Sequence, residues 1–115
     1  MKLIISIVIS IIILITPIRV FSAEVLNVTS SSVLQIGDNN RNYKVRIACI
    51  NIYNLKEKEA FEWLREELPR SSKINLLPKG SENGTLVAKV VKLKSSKDIS
   101  RSMVEKGFGE NECTD

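Results

Sequence analysis

From residue 24 onward, apolar positions alternate with polar ones in short runs, broken twice by the wider spacing of a helix. Glu24 to Val28, Ser32 to Ile36 and Asn42 to Ile50 read as three strands. Gly37-Asp38-Asn39-Asn40 is a strong turn signal and joins the second and third as a hairpin. In the third run Tyr43, Val45, Ile47 and Cys49 alternate with Lys44, Arg46, Ala48 and Ile50. If the first set lines a core, Arg46 faces a surface or a cleft. Leu55 to Leu68 is the clearest helix, because Phe61, Leu64 and Leu68 share a face, Ala60 stacks under Leu64, and Pro69 ends the run. Asn54, followed by Glu57, reads as its N-cap with a capping-box-like partner. Lys73 to Leu77 is a fourth strand, Pro78 to Gly84 a turn, and Thr85 to Leu93 a fifth strand. A short helix closes the pattern from Ile99 to Lys106, with Asp98 as cap and Gly107 as stop. Periodicity and turns by themselves predict a small β-rich domain with helices.

The first residues follow a different rule. Met1-Lys2 is a minimal positive start, and Leu3 to Ile18 carries no charge over 16 residues. As a helix this run would span about 24 Å, short of the ~30 Å hydrocarbon core of a bilayer. Residues 1–22 are therefore expected to be a secretory signal peptide, cut after Ser22, with small residues in Val20-Phe21-Ser22 at the cleavage region. An uncleaved anchor formed by residues 3–18 is the second reading, and Arg19 speaks for it. Residues 23–115 then form one small domain, secreted or periplasmic in the first case and membrane-tethered in the second.

Composition removes several kinds of chemistry. The chain contains no histidine, which excludes the Ser-His-Asp triad, His acid-base catalysis and His metal ligands. Lys2 and Arg19 fall in the leader, so the domain keeps 15 of the 17 basic residues and all 13 acidic ones. That net of +2 is too mild to argue for nucleic-acid binding. Cys49 and Cys113 suit a single disulfide in an exported protein; two free thiols are the alternative. Lys89 is expected on the opposite strand face from Lys92 and Lys94, which argues against one basic strip. Trp63 lies on a helix and reads as packing rather than a base-stacking platform. Asn27-Val28-Thr29 and Asn83-Gly84-Thr85 match glycosylation sequons, which matter only in a eukaryotic secretory route.

Three segments together resemble a known family. Val45-Arg46-Ile47-Ala48-Cys49-Ile50-Asn51-Ile52-Tyr53-Asn54 is similar to V-R-L-x-x-I-D-x-P-E, the segment that carries catalysis in staphylococcal-nuclease-like domains. Glu59 to Leu64 resembles the x-A-x-x-F/Y-L of that family's first helix. Asn83 to Val90, the third, is similar to Y-G-R-x-L-A-x-V and runs on to Ile99 to Gly109, similar to the N-x-x-L-V-x-x-G-x-A element. Their order and spacing agree over roughly residues 24–109. The resemblance implies a mainly β fold with helices: a five-stranded OB-type Greek-key barrel, a helix after the third strand and a short C-terminal helix. A secreted branch of the family carries cysteines at positions like Cys49 and near the chain end.

The resemblance also implies a chemistry, and this chain has lost most of it. Such domains cut nucleic-acid phosphodiesters with Ca²⁺ held by two Asp, water activated by a Glu, and the phosphate clamped by two Arg. Matched position by position, Arg46 keeps the first clamp. The first Asp falls on Ser31 or Ser32, the second on Asn51, the Glu on Asn54 and the second Arg on Thr85. Ca²⁺ requires anionic oxygens, and an amide cannot serve as a general base, whose loss costs about 10²–10⁴ in rate. The expectation is a catalytically inactive nuclease homologue without a metal or other cofactor. It would bind nucleic acid, an anionic ligand or a protein through its former substrate face, with Arg46 as the candidate phosphate contact. A weak or altered Ca²⁺-dependent nuclease recruiting Glu57 or Glu82 is the enzymatic alternative. A membrane-tethered accessory module is the third reading.

Overall fold

The computed structural model describes residues 23–113; the expected leader and its cleavage site lie outside the described residues. Eight strands, two α-helices and one 3-10 turn follow in the order β1 (Ala23–Val28), β2 (Val33–Asp38), β3 (Arg41–Ile47), β4 (Ile50–Ile52), the 3-10 turn (Asn54–Lys56), α1 (Glu57–Glu67), β5 (Lys73–Glu82), β6 (Thr85–Lys92), β7 (Lys97–Asp98), α2 (Ile99–Glu105) and β8 (Gly109–Asn111). Five strands lie in the order β3-β2-β1-β5-β6, and β3 pairs with β6 to close them into a barrel. All barrel pairings are antiparallel except this closure, which is parallel and sets Val45 beside Leu86, Arg46 beside Val87 and Ile47 beside Ala88. The protein is thus mainly β with helices, a closed five-stranded barrel compatible with an OB fold.

Alternation along the strands fills the barrel. Val25, Leu34, Ile36, Val45, Ile47, Ile74, Ala88 and Val90 are all buried. The helical stripe Ala60, Leu64 and Leu68 joins the same core from α1, and Ile99 with Met103 joins it from α2. Full burial of a side chain such as Leu64 contributes about 1.5–3 kcal/mol. Trp63 tilts against Phe108 with ring centroids 6.0 Å apart, and the Lys106 ammonium lies 5.7 Å from the Trp63 ring centroid. Its role here is packing at the core margin, as the helix pattern predicts.

The expected third strand is in fact two. Cys49 has φ 69°, a left-handed conformation that no strand sustains, and it breaks the run after Ile47. The kink also shifts the alternation: Ala48 and Ile50 are buried, whereas Cys49 is only half-buried. Ile50–Ile52 then pairs with β8, a strand that the sequence pattern does not announce. The helix accordingly follows the fourth strand in chain order. The register of this small sheet leaves no space at Gly109, where a Cβ would come within 2.9 Å of the Asn51 carbonyl carbon.

Both hairpin turns resolve into two residues with positive φ, Asn39 (54°) with Asn40 (67°), and Asn83 (50°) with Gly84 (81°). Such pairs match the right-handed twist of the flanking strands. The expected loop from Pro78 to Gly84 is mostly strand, since β5 runs to Glu82 with an irregularity between Pro78 and Gly80. Proline is tolerated because β1 pairs with β5 only at Ile74 and Lys73, which leaves the later residues on an edge.

Two cross-links fasten the periphery. The Cys49–Cys113 disulfide closes a separation of 64 residues and holds the chain end on the β3–β4 kink, where the Glu112 N–H also donates to the Cys49 carbonyl at 3.2 Å. At the end of α1, Glu67 receives Lys97 at 2.7 Å and faces Lys92 at 3.7 Å. Lys92 also donates to the Glu67 carbonyl at 2.8 Å. The hydrogen bond from Lys97 is the main cause that holds the Glu67 carboxyl below its ordinary value of 4.5, against an opposing effect of burial.

Cys113→Ser is expected to lower the unfolding free energy by about 2–4 kcal/mol, read from equilibrium urea denaturation of variant and parent under non-reducing conditions. Glu67 yields a pH test whose sign follows from its lowered pKa. Its contribution is complete above 4.5 and disappears as pH falls through the lower folded-state value. Glu67→Gln should therefore cost about 1 kcal/mol at neutral pH and progressively less as pH falls below 4.5, measured by urea denaturation across that range.

Candidate functional site

One face of an OB barrel is framed by the loop between its first two strands and the turn between its last two. Here these are residues 29–32, between β1 and β2, and Asn83-Gly84, between β5 and β6. A depression of about 440 Å³ lies between them and is lined by Thr29, Ser30, Lys44, Arg46, Glu82 and Thr85, among others. Strand alternation delivers the cations. Val45 and Ile47 point inward, so Lys44 and Arg46 emerge together on the outer face of β3. The parallel closure then carries the start of β6, and with it the tip of the β5–β6 hairpin, alongside Arg46.

The centre of this depression is an ion pair. The Arg46 Nη1 donates to the Glu82 carboxylate, joining β3 to the end of β5. The Arg46 side chain is 35% exposed and that of Glu82 56%, so water reaches both partners. An exposed pair of this kind contributes about 0–1 kcal/mol to stability. It neutralises the guanidinium locally without locking it away.

The positions singled out in the sequence are distributed unevenly. Arg46 and Thr85 line the depression together. Ser31 and Ser32 line an adjoining groove of about 520 Å³ with Glu57, Lys58, Phe61 and Arg65. Thr29 and Ser30 border both spaces. Asn51 is exposed on β4, opposite Glu110, and Asn54 is exposed in the 3-10 turn; neither lines the depression or the groove. Of the two recruitable acids, Glu82 meets Arg46 and Glu57 faces the neighbouring groove. Lys44, Thr29 and Ser30 are lining residues that sequence reasoning did not single out. For Lys44 the signal was legible, since it stands two residues before Arg46 on the same strand face.

The capping role expected of Asn54 is not observed. The 3-10 turn is preceded by Tyr53 and α1 by Lys56, and neither start has a side-chain cap. A turn of tighter helix separates Asn54 from α1, which takes its side chain out of reach of the amides it would satisfy. Asp98 does cap α2, accepting the Arg101 N–H at 3.5 Å and the Ser100 hydroxyl at 3.0 Å, while Lys89 lies 3.3 Å from its other oxygen. These four residues line a separate depression of about 650 Å³ beside the disulfide, where their contacts serve the start of the helix.

The donor set in the Arg46 depression does not suit Ca²⁺. A hard divalent cation seeks several anionic oxygens, whereas this space offers one carboxylate, already paired with Arg46, and neutral hydroxyls. Among the described residues no group of three or more Asp, Glu, Cys or His converges. What the arrangement can do is present two cations and several hydroxyl donors to an oxyanion, in competition with Glu82. No protein-family model matches the chain, and no curated protein matches it.

The two caps separate experimentally. Asp98→Ala is expected to cost about 1 kcal/mol of stability and Asn54→Ala less than about 0.5 kcal/mol, both measured by chemical denaturation.

Proposed function

We propose that this protein is an exported, staphylococcal-nuclease-like barrel without catalysis, which binds an anionic ligand across the face between the β1–β2 loop and the β5–β6 turn. The observation that carries this reading is the convergence of Lys44, Arg46, Thr85, Thr29 and Ser30 on one open depression at the position where OB barrels take ligands. Arg46 is the anchor, because a planar guanidinium meets an oxyanion through two parallel N–H donors. Lys44 adds charge, and the hydroxyls add donors. The lining contains no aromatic ring on which a base could stack. Binding of single strands through stacking within the depression is therefore disfavoured relative to recognition of the anion itself. The disulfide fits an oxidising compartment, in keeping with export. Among the described residues no helix is long and apolar enough to cross a membrane.

One observation favours a second reading. Glu82 stands against Arg46, where a recruited general base would be required in a weak phosphodiesterase. In that reading the same carboxylate would have to leave Arg46 before accepting a proton. That carboxylate is already engaged by Arg46 and no second acid lines the depression, which is why the binding reading is preferred.

Purified protein is expected to leave single- and double-stranded DNA intact with Ca²⁺ present, and to bind inorganic phosphate weakly in an amide chemical-shift titration. Arg46→Ala should abolish the phosphate response. Calcium-dependent DNA turnover lost in Arg46→Ala would overturn the binding reading in favour of the enzyme.

A further inference from the structure

We infer that Glu82 is a resident competitor for Arg46 and that it sets the ligand class of the site: multivalent oxyanions of the phosphate type are accepted and simple carboxylates are rejected. The inference rests on the proposed anion site and adds its selectivity. The Glu82 carboxylate occupies the position that an incoming anion would take on the guanidinium. Any ligand for Arg46 either displaces it or binds beside a like charge. The displacement is easy, because both partners are exposed and an exposed pair is worth only about 0–1 kcal/mol.

Selectivity follows from what the exchange returns. A free monocarboxylate that replaces Glu82 remakes the bond it broke and gains no new kind of contact. It also competes with a carboxylate tethered on the adjacent hairpin, whose effective concentration is in the millimolar range (~mM). A phosphate dianion carries more charge and more acceptor oxygens. It can hold Arg46 and also engage Lys44, Thr85, Thr29 or Ser30, which line the same depression and to which the Glu82 carboxylate makes no hydrogen bond or ion pair. The position of Glu82 makes the exchange local. It is the last residue of β5, next to the Asn83-Gly84 turn, so the carboxylate can swing away by side-chain rotation while β5 and β6 stay paired through Ser81 and Leu86.

The test is an amide and guanidinium NMR titration of the disulfide-bonded protein with inorganic phosphate and, separately, with acetate. The parent is expected to respond saturably to phosphate and not to acetate. Glu82→Gln should tighten phosphate about five-fold and make acetate binding measurable. Glu82→Ala should do the same, which separates loss of the charge from any new hydrogen bond made by Gln. In Arg46→Ala/Glu82→Gln the gain should vanish. Unchanged or weaker phosphate binding in both Glu82 variants would overturn the competitor role. If Arg46→Ala alone still loses binding in that case, the anion site itself stands. Phosphate binding that is indifferent to Arg46→Ala would remove the site and the competitor together.

Discussion

The parallel pairing of β3 with β6 is the constraint on which the rest of the structure depends. Without it the five strands form an open, twisted sheet with two bare edges. With it, the alternating Val45 and Ile47 are turned into an enclosed interior beside Ala88 and Val90. The contact is also long-range, because some forty residues and a whole helix separate its partners along the chain. Closing such a loop carries an entropy cost that local hairpins avoid. The α1 stripe offsets part of it by burying Ala60, Leu64 and Leu68 in the same core.

The same closure makes the candidate site. Arg46 occupies the outward position between two inward residues of β3, so the pairing that buries Val45 and Ile47 necessarily exposes it. Because β5 and β6 form one hairpin, placing Leu86 and Val87 along β3 also brings Glu82 and Thr85 to the guanidinium. Glu82 thus meets Arg46 from the neighbouring hairpin and pairs its charge.

A second structural decision is taken at Cys49. Its left-handed backbone ends β3, turns Ile50 inward and launches β4 toward β8. The disulfide to Cys113 and the Glu112 amide on the Cys49 carbonyl stabilise this corner from the far end of the chain. This corner separates Asn51 and Asn54 from Arg46. They follow it immediately in sequence, yet they line neither the depression nor the adjoining groove.

The central stretches of the five barrel strands, both helices, the two positive-φ turns and the alternation that exposes Arg46 are written locally. They depend on side-chain period and on residues whose backbone preferences act over a few positions, and Asp98 as cap and Asn83-Gly84 as turn are of this kind. Three features were decided only by tertiary structure. The kink at Cys49 draws on a partner 64 residues away. The short strand β8 has no pattern of its own and exists because β4 offers it an edge. Glu82 is remote from Arg46 in sequence and meets it only because β3 and β6 pair in parallel. Local chemistry determines which residues emerge on a face, but the charge at the mouth of this barrel is a sum over strands, and it is defined only once the barrel has closed.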